Sequence, residues 1–115
     1  MDRHLKAHLF DISTAIGEVQ SFFDVVPRRF DEYCRNLMFR RAIERNVGII
    51  GEAVNKILKE HPDIEISNAR AIIATRNRVI HDYAAVTDDV MWKIVINDLP
   101  KLKEEVDALL ADSDN

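Results

Sequence analysis

Two apolar seams constrain what this chain can fold into. Between residues 3 and 23, Leu5, Leu9, Ile12, Ile16, Val19 and Phe23 recur at alternating spacings of four and three; Ile43, Val47, Ile50, Val54 and Ile57 repeat the pattern further along. That period is the signature of an α-helix with one buried stripe, the kind that packs lengthwise against a neighbour. No segment alternates apolar and polar residues as a half-buried strand does. With 115 residues, three glycines and three prolines, the chain is long enough for one core and poor in turn formers, so the expectation is a single all-α domain over residues 1–115.

Read in order, the first helix ends before Pro27, and a second runs from there to about Glu60. Leu37, Ala42, Ile49, Ala53 and Leu58 widen its stripe, which makes it the expected central element. Gly48 and Gly51 each cost this helix about 1 kcal/mol relative to alanine, so another helix is expected to approach closely there. His61-Pro62-Asp63 ends it, and Ser67 is the expected N-cap of the third helix. Thr87 is placed as the cap of a fourth, with Asp88 and Asp89 where the helix dipole favours acids. Pro100 cannot donate a backbone hydrogen bond, so that helix is expected to kink or restart. Leu102, Val106, Leu109 and Leu110 carry the apolar face onward, and residues 111–115 read as a frayed acidic tail. Trp92 reads as a packing residue.

The chemistry concentrates in residues 76–83, RNRVIHDY. At about 100° per residue, Ala69, Ile72, Ile73, Val79 and Ile80 form an apolar arc with Arg76 near its middle and Tyr83 almost directly above. A guanidinium in that position needs a carboxylate partner or a wet cleft. Glu52, beside the stripe of the preceding helix, is the candidate partner; a solvated surface Glu is the competing reading. Asn77 and His81 share the next stripe of the same helix.

The residues also resemble a family. R-N-x-x-x-H-x-Y, with Ile50-Gly51-Glu52-Ala53 on the preceding helix and Trp92 and Leu99-Pro100 after it, resembles the HepT toxins of the MNT/HepT (type VII) toxin-antitoxin systems. These belong to the HEPN superfamily, whose ribonucleases share an Arg-x(4 to 6)-His motif. The resemblance implies an up-and-down four- to five-helix bundle of HEPN type that forms a symmetric homodimer. It makes Arg76 and His81 the catalytic pair, with Asn77 and Glu52 in support. It also makes Tyr83 the tyrosine that an MNT-type nucleotidyltransferase antitoxin modifies with AMP. The alternative within the superfamily is a catalytically silent module that binds a nucleotide or a protein.

The remaining chemistry suits metal-independent RNA cleavage. RNA brings its own nucleophile, the 2′-hydroxyl; an imidazole with an ordinary pKa near 6.5 can move the proton, and a fixed cation can hold the phosphate. There is no glycine-rich phosphate loop, H-E-x-x-H or G-x-S-x-G. His4 and His8 stand at a metal-binding spacing without a third ligand nearby, and no metal or cofactor is expected. A lone cysteine, Cys34, rules out an intramolecular disulfide and fits a reducing compartment. The polar start and the lack of an 18-residue apolar run give a soluble, cytoplasmic expectation, with no membrane partner. A net charge of −4 opposes general nucleic-acid binding, but its distribution does not. Residues 28–45 hold six arginines against three acids, and residues 82–115 hold nine acids against three lysines, a pattern compatible with a local RNA cleft.

Overall fold

The computed structural model describes residues 1–81 and 88–113, with the side chains of residues 78–81 outside that description. Helix α1 spans Arg3–Phe22 and buries Leu5, Leu9, Ile12, Ile16 and Val19, the whole expected seam short of Phe23. Asp2 caps it by accepting a 2.7 Å hydrogen bond from the His4 amide. Helix α3, Leu37–Glu60, buries its seam Ile43, Val47, Ile50, Val54 and Ile57 completely. It packs most extensively against α1 on one side and α4, Ala69–His81, on the other, while α6, Leu99–Ser113, lies against α1. The described residues are all-helical, without a strand, in a flattened bundle of 43 × 30 × 18 Å. No helix among them is long and apolar enough to cross a membrane.

Four expectations need correction. The single helix expected from Pro27 to Glu60 is two, α2 (Phe30–Arg35) and α3, because Asn36 takes an extended backbone and its side chain accepts a 3.0 Å bond from the Phe39 amide. An Asx cap inside an otherwise helical run ends one helix and starts the next. Of the residues expected to widen the α3 stripe, Leu37 and Ile49 are exposed. Ser67 does not begin α4. Its amide and hydroxyl both bond the Glu105 carboxylate of α6, and Asn68, with φ of 58°, supplies the carbonyl that accepts from Ile72. Residues 111–113 remain helical rather than frayed. Thr87 lies outside the described residues.

Helix α5, Asp88–Lys93, has Asp88 and Asp89 in its first turn. The chain then widens into a π-helical segment, Ile94–Asp98, and restarts as α6 at Leu99, one residue before Pro100. Proline has no N–H for the carbonyl of residue 96 and its ring crowds that carbonyl, so wider turns before it accommodate both defects. Trp92 packs against Phe23, Phe30 and Tyr33, with ring centroids 6.0, 6.2 and 5.6 Å away. Phe39 joins the cluster edge-on to Phe22, Phe23 and Tyr33. These rings knit the end of α1 to α2, α5 and the start of α3.

Candidate active site

Gly51 decides how α4 crosses α3. A Cβ there would overlap Cβ of Arg76 and stand 2.8 Å from its Cγ and 3.3 Å from the Ile72 carbonyl oxygen. Only a bare backbone lets the arginine stem lie across α3 at this point. From there the guanidinium reaches Glu52, one residue along α3, and forms an ion pair with it. Arg76 Nη1 also donates to Asn77 Oδ1 at 2.9 Å. Nε is buried without an acceptor among the described residues, an unmet donor that a native structure usually satisfies.

The burial problem posed by the apolar arc is therefore met by both expected means. Arg76 has a carboxylate partner, and the pair is not sealed: the side chains are 21% and 38% exposed. It opens into a groove of about 590 Å³ lined by α1, α3 and α4. Arg41, Arg45, Lys56 and Arg76 set four cations there against the carboxylates of Asp11, Glu44 and Glu52, in a chain of net charge −4. Lys56 stands 3.8 Å from Glu52, and Arg41 pairs with Glu44 at 3.0 Å. Burial pushes the Glu44 carboxyl above its ordinary range, with Arg41 and Arg40 pulling it back.

The predicted site residues divide cleanly. Arg76, Asn77 and Glu52 are brought together as a bonded triad. His81 is the last residue of α4, five positions beyond Arg76, and its side chain lies outside the described residues, as does Tyr83 entirely. Sequence reasoning counted Arg41 and Arg45 within an arginine-rich stretch but missed the stripe that gathers them with Lys56. Arg41, Arg45, Gly48, Glu52 and Lys56 follow one another at spacings of four, three, four and four, a polar stripe on the helix whose apolar stripe was read. His8, paired on paper with exposed His4, instead lines this groove. Gly48 departs from expectation as well: among the described residues a Cβ there would meet nothing within 4 Å.

Behind the groove, Arg40 pairs with Asp88 at 2.9 Å and so fastens α5 to α3. Tyr33 lies against that pair; burial drives its hydroxyl pKa far above the ordinary value, while Arg40 pulls it down. One set of possible metal donors, Asp2, Glu60 and His61, lies within 4.8 Å of one another at the end of α3, and none of the three lines the groove.

A family model described as "Ribonuclease HepT-like" matches residues 12–109. A Methanocaldococcus jannaschii protein provisionally named an RNase is 33% identical over 109 residues, which is 91% of this chain and 95% of the relative. A Thermococcus cleftensis protein provisionally named a ribonuclease HepT is 32% identical over 113 residues, 95% of this chain and 98% of its own. No solved structure gives a significant match.

Proposed function

The chain belongs to the HepT-like ribonuclease family, and from that premise we propose that it is a metal-independent endoribonuclease, the toxin of an MNT/HepT toxin-antitoxin pair. The observation that carries the proposal is Arg76, a cation that cannot lose its proton, held at the wall of an open groove by Glu52 and Asn77. Such a group is prepared for an anion. An RNA phosphate replaces the Glu52 interaction or joins it, and the guanidinium then stabilises the extra negative charge that the pentavalent phosphorane carries. His81 takes the proton of the 2′-hydroxyl as that oxygen attacks the adjacent phosphorus. The bond to the 5′-oxygen breaks, and a second imidazole protonates the leaving oxygen, giving a 2′,3′-cyclic phosphate and a 5′-hydroxyl end.

Two imidazoles imply two copies. In a symmetric homodimer the same patch meets itself, so each cleft gains two Arg76 and two His81 residues and the acid and base roles divide. The placement of α4 supports this reading: among the described residues it packs chiefly on α3, and its Arg70, Ala71 and Ala74 are exposed. Tyr83, two residues past His81 in the motif, is the acceptor for the antitoxin. Its phenolic oxygen attacks the α-phosphorus of ATP, pyrophosphate leaves, and the tyrosine carries AMP through a phosphodiester. That anion competes for Arg76 as an RNA phosphate does.

The experiment compares wild type with Arg76→Ala and His81→Ala for growth arrest on expression and for cleavage of total RNA in EDTA. Each substitution is expected to lower cleavage at least about 10²-fold and to abolish toxicity. Cleavage that stops in EDTA overturns the metal-free mechanism; equal toxicity of all three proteins overturns the catalytic one. Light scattering is expected to give a dimer. Incubation with the nucleotidyltransferase, ATP and Mg²⁺ is expected to add AMP to wild type and not to Tyr83→Phe.

A further inference from the structure

Two glycines three residues apart on α3 have opposite surroundings. Gly51 is required by the fold, because any side chain there strikes Arg76. Gly48 has no such requirement: among the described residues a Cβ would meet nothing within 4 Å, yet glycine lowers the helix propensity of this central element. The stretch of α3 that Gly48 leaves bare is part of the groove wall. Exposed Ile49 stands beside it, with Arg45 on one side and Lys56 on the other. The Arg45 side chain makes no ion pair or hydrogen bond among the described residues, although it lines a groove shared with Asp11, Glu44 and Glu52. A free cation, a bare backbone and an apolar side chain, all facing one groove, form the elements of a nucleotide-binding surface. The cation takes a phosphate, the bare backbone admits a ribose edge-on, and the apolar side chain covers a base face.

The geometry points to a subsite for single-stranded RNA along α3, in which the strand flanking the scissile phosphate at Arg76 lies against Gly48 and Ile49 and places a neighbouring phosphate on Arg45. The inference rests on the ribonuclease reading and adds which face of the groove the strand follows. Between Arg45 and Lys56 the helix rises about 16 Å, so the track holds a short run of nucleotides rather than a single phosphate. Charge favours RNA over a second copy of the chain as the occupant. The groove carries four cations against three carboxylates in a molecule whose net charge is −4, and another such acidic molecule gains less from that contrast than a polyanion does.

The test is fluorescence anisotropy with a 2′-O-methyl oligoribonucleotide, which lacks the nucleophile and reports binding without cleavage. It is run on wild type, Gly48→Leu, Gly48→Ala and Arg45→Gln, with melting temperature and light scattering for each. Gly48→Leu is expected to weaken binding at least tenfold, and Gly48→Ala a few-fold, while both melt at or above the wild-type temperature because the added atoms meet no protein. Arg45→Gln is expected to weaken binding and to reduce the slope of log affinity against log salt by about 0.7, the single-strand value for one phosphate contact. A wild type that cleaves RNA, alongside Gly48→Leu that binds as wild type does, overturns the subsite and leaves the ribonuclease reading standing. A wild type that neither binds nor cleaves RNA overturns both. Loss of binding in Gly48→Leu that accompanies a change from dimer to monomer overturns the subsite in favour of an interface between copies.

Discussion

The two working regions of α3 are built on opposite terms. At its start, Phe39 sits in a dry cluster of rings with Phe22, Phe23, Tyr33 and Trp92, where each side chain has several neighbours. In its middle, Arg45, Gly48, Glu52 and Lys56 face an open groove where, among the described residues, a Cβ on one glycine would meet nothing and one guanidinium nitrogen lacks an acceptor. The first region is satisfied by the chain itself. The second leaves room and an unmet donor, and the contrast separates the part of the helix that supports the fold from the part proposed to meet RNA.

The largest expected effect lies in the dry region. Phe39→Ala should lower the free energy of unfolding by about 3–5 kcal/mol, a large share of what a domain of this size possesses. Urea denaturation measures the loss, and RNA cleavage per folded molecule should be unchanged; a parallel loss of activity would mean that the two regions are one. The glycines sharpen the contrast at a smaller scale. Gly51→Ala should cost about 1–3 kcal/mol as α4 shifts away from the new methyl group and should lower cleavage by displacing Arg76. Gly48→Ala should instead raise stability by up to about 1 kcal/mol. Identical effects at the two positions would erase the distinction drawn from their surroundings.

The smallest effect belongs to neither region. Asp107 of α6 accepts hydrogen bonds from Lys103 and from Ser13 of α1, at 2.9 and 2.7 Å, and these hold its carboxyl below the ordinary value of 3.8. A depressed pKa adds stability that is fully present above the unfolded value and is lost as pH falls through the folded one. The group is about half exposed, so the contribution is within about 1 kcal/mol and is screened by salt. Acid titration of unfolding should show Asp107→Asn converging with wild type below pH 3.8 and separating from it above.

What sequence revealed and what it hid follow one physical line. The seams of α1 and α3 were legible because burial imposes a period; the Arg76–Glu52 pair was legible only as one of two readings, since a cation in an apolar arc is met by a carboxylate or by a wet cleft, and a solvated Glu52 fitted the sequence as well. The restart at Pro100 was legible because proline lacks a donor. Asn36 was not, since the apolar pattern runs through it and only the side chain's choice of the Phe39 amide marks the break. Ser67 has the composition of a cap, and a long-range carboxylate, Glu105, claimed it. The stripe Arg41, Arg45, Glu52 and Lys56 was not legible as a unit, because a charged surface has the same pattern whether it faces water or a ligand.

The π-helical segment Ile94–Asp98 sets the rotational phase of everything after it. Met91, Val95 and Leu99 are buried at successive steps of four, and on a regular α-helix such a row drifts by about 40° per step; the wider turns absorb that drift. They act as one spare residue, inserted just where Pro100 tolerates it. Removing one residue from this segment would restore an ordinary α-helix and leave the face of α6 nearly unchanged, whereas inserting one more would turn that face by about 100°. Leu102 and Val106 would then point away from α1, and Glu105 away from Ser67.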